Sequence, residues 1–107
     1  MNNIIYVGLD QKRREFLQKK LTQYLDRLYD LSESEGTRLD AFCKVGIVQI
    51  LLRDGIVHYD VTRVTLMKLD CKVSVSLFNT TWTIISDYIT TGGLFTRQPA
   101  GQTVRMR

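Results

Sequence analysis

Cys43, Cys71 and His58 are the side chains in this sequence best suited to nucleophilic or metal chemistry at neutral pH, and His58 is the only histidine. The two cysteines are isolated, with no Cys-x-x-Cys spacing and one possible nitrogen co-ligand, a poor donor set for a metal. A relay of nucleophile, histidine and acid would have to combine Cys43 or Cys71 with His58 and an aspartate such as Asp60, and nothing in the spacing favours it. The thiols therefore read as buried or half-buried structural residues, and His58 as a surface or structurally satisfied side chain. GxGxxG, a Walker-type phosphate loop, HExxH and GxSxG are all absent. The expectation is a protein with no enzymatic activity, no metal and no cofactor.

The elements that must position these residues are bounded by composition. At 107 residues, 44% hydrophobic and 24% charged, the chain fits one soluble domain or two half-domains. No apolar run reaches membrane-spanning length, and the first twenty residues lack the order of basic, apolar and small residues of a signal peptide, which reads as an intracellular protein. Asn79-Thr80-Thr81 matches a glycosylation sequon but in that context reads as a turn. The net charge of +4 is uneven: nine basic and eight acidic residues precede Gly55, six and three follow it. Such a bias permits phosphate contacts without requiring them.

Helical periodicity dominates the first half. Leu17, Leu21, Leu25 and Leu28 recur at spacings of four, four and three, predicting a helix from about Leu9 to Leu31 with Asp10 as N-cap. Ile4 to Val7, ahead of it, reads either as a brief strand or as an irregular lead. Ser32 to Gly36 is a polar break, and a second helix follows from about Thr37 to Arg53, with Thr37 as N-cap and Gly55 past its end. Its apolar residues, among them Leu39, Phe42, Val45, Ile47, Ile50 and Leu51, go most of the way round, so several sides must be covered. A strand over Val45 to Leu52 competes with this reading, because β-branched residues are dense there and Gly46 weakens a helix.

After Gly55 the pattern reads as β. Val61, Val64, Leu66 and Leu69 sit among threonines in a presumptive strand. Val73, Val75 and Leu77 alternate with serines, Asn79-Thr80-Thr81 supplies turn residues, and Trp82 to Tyr88 forms the second arm of a hairpin. Trp82, Ile84 and Tyr88 then lie on one face and Ile85 and Ile89 on the other, a strand needing cover on both sides. Thr91-Gly92-Gly93 and Gln98 to Gly101 break the chain, and Thr103 to Arg107 reads as a last short strand. The expected fold class is α+β: two antiparallel helices over 1–54, half of a four-helix bundle, then about four antiparallel strands over 55–107 contributing to a β-barrel shared with a partner chain. Leu39, Phe42, Ile47, Ile50, Leu51, Trp82, Ile84 and Ile85 are the expected partner interface.

Two of these segments resemble one family. Leu17, Leu21, Leu25, Asp26 and Leu28 reproduce the leucine pattern in the first helix of the small (gamma) subunit of the general transcription factor TFIIA. Phe78-Asn79-Thr80-Thr81-Trp82-Thr83-Ile84-Ile85 looks like that family's strand, polar turn and Val-Trp-Thr-Phe segment. The family's Tyr-x-Phe-Cys-Asp approach to the tryptophan is replaced by Val75-Ser76-Leu77-Phe78-Asn79, and its cysteine has no counterpart. The resemblance implies a nuclear, non-enzymatic subunit that pairs with the larger TFIIA subunit and stabilises the TATA-box-binding protein on promoter DNA. Lys68, Lys72, Arg97, Arg105 and Arg107 would then be the phosphate-contacting side chains, by a sequence-independent, salt-sensitive mode. The alternative from the residues alone is a homodimeric α+β interaction or regulatory module with no DNA role, whose apolar helix forms a self-complementary interface.

Overall fold

Residues 3–8 and 10–90 are described by the structure, a computed structural model. Their elements are β1 (Ile4–Tyr6), α1 (Gln11–Leu28), α2 (Glu35–Asp54), β2 (Ile56–His58), α3 (Tyr59–Leu69) and α4 (Val75–Thr90). Asp10 caps α1 by accepting a hydrogen bond from the Arg13 backbone N–H at 2.9 Å. In the connection to α2, Asp30 Oδ1 accepts from the backbone N–H and the hydroxyl of Ser32, and these bonds hold its carboxyl below its ordinary pKa. Ser34 caps α2, accepting from the Thr37 N–H at 3.2 Å, so the helix starts before the predicted Thr37 cap. Gly55 ends it in the left-handed region at φ 74°, donating its N–H to the Leu51 carbonyl at 2.8 Å. A side chain there would be strained, which is why the chain carries glycine at this turn.

α2 is the central helix. α1 packs along it, and α4, α3 and β2 also pack against it. This arrangement answers the all-round apolar pattern: Ala41, Cys43, Val45, Ile47, Val48 and Leu51 are all buried by this chain's own elements. β1 and β2 pair antiparallel with Ile5 opposite Val57; these two face the core, and Ile4, Tyr6 and His58 face out. The segment Ile4 to Val7 is thus a strand followed by one bridging residue, whose N–H reaches the Gly55 carbonyl.

The expected α+β architecture with a four-strand barrel half is overturned. Among the described residues the chain has four helices and one two-stranded sheet. The presumptive strand over Val61 to Leu69 is α3, and the presumptive hairpin around Trp82 is one unbroken helix, α4. The reason lies in a competing period. Phe78, Trp82, Ile85 and Ile89 recur at spacings of four, three and four, and all four are buried, so one helical stripe buries what a two-faced strand would have split. Ser74, the polar partner in the apparent alternation, supplies the N-cap: its hydroxyl accepts from the Leu77 N–H at 3.0 Å. The turn-like threonines fold back on their own helix: Thr80 donates to the Ser76 carbonyl at 3.1 Å, and Thr81 Oγ1 lies 3.1 Å from the Leu77 carbonyl, which shares the hydroxyl's one proton with Asp40. Local β-propensity yields here to burial against α2. The predicted last strand, Thr103 to Arg107, and the Gly92-Gly93 break lie outside the described residues.

The core is closed by aromatic rings. The Tyr59 ring meets Trp82 edge-on at 5.3 Å and Phe78 at 5.4 Å between centroids, and its hydroxyl donates to Asn79 Oδ1. Trp82 and Phe78 are completely buried.

Candidate functional site

The structure does not assemble the chemistry-bearing residues into one constellation. Cys43 is fully buried in α2, where burial pushes its thiol up to about 11, the opposite of an activated nucleophile. Cys71 is exposed in the α3–α4 turn, and the side chain of His58 points outward from β2. Among the described residues no three of His, Cys, Asp and Glu come together in a way that could hold a metal ion.

Charge is organised into structural pairs. Lys44 Nζ lies 2.7 Å from Asp40 Oδ2 and over the Tyr24 ring, and Thr81 Oγ1 donates to Asp40 Oδ1 at 2.9 Å. This largely buried network ties α1, α2 and α4 together, and burial raises the Tyr24 phenol. Lys72 Nζ pairs with Glu35 Oε2 at 2.9 Å, an exposed hydrogen bond between the α3–α4 turn and the start of α2 that raises the lysine pKa. Beside that pair a small hollow of about 130 Å³ has Leu39 and Phe42 in its wall.

A larger cleft of about 520 Å³ runs between α2 and α3. α2 contributes Gly46, Gln49, Ile50 and Arg53, one helical face; α3 contributes Val61, Thr62, Thr65, Leu66 and Leu69. Gly46 lets the Leu66 side chain pack directly onto the α2 backbone, because a Cβ there would sit 2.7 Å from a Leu66 methyl carbon. Val61 is 68% exposed and Leu69 70%, with Val64 at 43% beside them. Val61 and Leu69 thus stand open on the same α3 wall of the groove, two helical turns apart with Thr65 between them. Arg53 stands at the end of the cleft with its guanidinium in a two-point pair to the neighbouring Asp54, at 3.0 and 2.8 Å.

The predicted interface residues divide accordingly. Ile47, Leu51, Trp82 and Ile85 lie inside this chain's own core, Leu39, Phe42 and Ile50 are half-buried, and Ile84 is 39% exposed on α4. Only Ile50 of these lines the α2–α3 cleft. Of the predicted phosphate contacts, Lys68 is exposed at the end of α3 and Lys72 is held by Glu35, while Arg97, Arg105 and Arg107 lie outside the described residues. Up to Thr90 the basic residues after Gly55, Arg63, Lys68 and Lys72, are matched in number by Asp60, Asp70 and Asp87, so the excess positive charge of that half belongs to the last seventeen residues. The spacing of four between the cleft residues Val61, Thr65 and Leu69 puts them on one face of a helix and of a strand alike, so it carried no signal that could separate the two. No known protein family, curated protein or solved structure matches the chain.

Proposed function

We propose that this chain is a non-enzymatic interaction module that receives an apolar helix in the cleft between α2 and α3. The observation that carries this reading is the pairing of a preformed groove with two strongly exposed aliphatic side chains, Val61 and Leu69, on its α3 wall. Covering a leucine or valine side chain completely contributes about 1.5 to 3 kcal/mol, so a helix laid here gains directly from the two residues that the fold leaves open. The reading retains the expected non-enzymatic, partner-dependent character. A TFIIA-like role with a larger subunit, the TATA-box-binding protein and promoter DNA drew its mechanism from strands around Trp82, and α4 removes that support. The interaction module needs no such strands.

Site-specific photocrosslinking tests the reading without assuming the partner's identity. With a photoreactive phenylalanine analogue in place of Leu69, irradiation in cells is expected to yield a covalent species heavier than the monomer. The same analogue at Gln18, on the exposed face of α1, is expected to leave the monomer alone. Monomer only from both positions, with no crosslink inside the chain from position 69, contradicts docking at this face.

A further inference from the structure

We infer that the helix received in the cleft is α3 of a second copy of this chain, laid antiparallel across a two-fold axis; this rests on the docking reading above. A two-fold contact uses the same patch on both subunits, so the patch must complement itself. α3 meets that requirement. Val61, Thr65 and Leu69 form a row at spacings of four, about 12 Å long at 1.5 Å per residue. Reversed against its own copy, the row sets each Val61 against Leu69 of the other copy and brings the two Thr65 side chains together near the axis.

Charge selects the direction. A second row, Asp60, Val64 and Lys68, runs beside the first at the same spacing. Asp60 and Lys68 are both exposed, and neither makes an ion pair or side-chain hydrogen bond among the described residues. An antiparallel pair places each Asp60 by the second copy's Lys68, giving two opposite-charge contacts around the exposed Val64. A parallel pair would set Asp60 against Asp60 and Lys68 against Lys68, a like-charge arrangement that is disfavoured. The helix dipoles also oppose favourably in the antiparallel arrangement.

Charge reversal on the full-length chain tests the geometry, with association followed by sedimentation velocity and circular dichroism confirming the fold. Wild type is expected to sediment as a dimer. Asp60→Lys and Lys68→Asp are each expected to weaken the dimer by about tenfold or more, since each reversal makes two like-charge contacts per dimer. Mixing the two variants, one of them isotope-labelled, is expected to restore a heterodimer in native mass spectrometry, because one copy then carries lysine at both positions and the other aspartate. A wild-type chain that stays monomeric overturns the inference, as does a dimer that both reversals leave unchanged or a mixture with no preference for the heterodimer. The crosslink from position 69 separates this failure from that of the docking reading. A product of twice the monomer mass supports the second copy. A product of any other mass, or a crosslink within one chain to residues 91–107, leaves docking at this face standing and rules out the dimer.

Discussion

Helices α3 and α4 are both built from β-branched, aromatic and threonine residues that suit a strand, and the fold uses them in opposite ways. α4 turns Phe78, Trp82, Ile85 and Ile89 into the core, where Trp82 and Phe78 have no exposed surface. α3 buries Tyr59, Thr62 and Leu66 and leaves a second apolar row, through Val61 and Leu69, about 70% exposed. One apolar stripe is enough to hold a helix against its own domain. On α3 these open aliphatic residues are more exposed than any on α4, where Val75, Ile84 and Tyr88 reach at most 44%, and it is on that more open row that we propose docking.

The comparison is broken most forcefully at Trp82. Trp82→Ala is expected to destabilise the chain by about 3 to 5 kcal/mol in chemical denaturation, because the ring is enclosed by Tyr59 and Phe78 and its removal leaves a cavity. A change under about 0.5 kcal/mol would mean that α4 is peripheral. Thr81→Val preserves shape but removes the hydroxyl that donates to Asp40, leaving a partly buried carboxylate short of one bond; about 1 to 2 kcal/mol is expected.

A pH dependence sharpens the same contrast. Burial raises the Cys43 thiol from the ordinary 9.0 to about 11, so the folded state keeps its proton over a range where the unfolded chain releases it. Stability is therefore unaffected by this group below about pH 9 and falls as pH rises from there toward 11, and Cys43→Ala is expected to flatten that fall. Exposed Cys71 should react with a thiol reagent at pH 8 in the folded protein, and Cys43 only after unfolding. On α3 the smallest stability effect is expected: Leu69→Ser should change the stability of the monomer by less than about 0.5 kcal/mol while weakening association.

The first half of the fold was legible because most of its signals agreed, and the one that did not, the β-branched run with Gly46 over Val45 to Leu52, lies within α2. Asp10, the leucine row of α1, the apolar circumference of α2 and Gly55 each pointed to the same helices, and the structure places them there. In the second half the local signals conflicted with the long-range ones. Val73, Val75 and Leu77 alternate like a strand, and Asn79 to Thr81 look like a turn, yet the stripe from Phe78 to Ile89 packs on α2 and outweighs them. The competing period was present in the residues and was hidden by their β-propensity. The same conflict concealed the cleft, since Val61 and Leu69 read in a strand suggest a barrel wall, and only the folding of Tyr59–Leu69 as a helix sets them on the rim of a groove. Gly46 was legible as a weak point in a helix, whereas its close approach to Leu66 depends on a helix more than a dozen residues away.

The central claim is that the exposed row of α3 is covered by a second copy, and thermal unfolding against protein concentration tests it most directly. Association that favours the folded state makes the midpoint rise with concentration. The wild-type midpoint is expected to rise over a hundredfold range of concentration, and that of Leu69→Asp, at unchanged helix content, to stay constant. A wild-type midpoint that does not move, or one that moves equally in Leu69→Asp, would contradict the account.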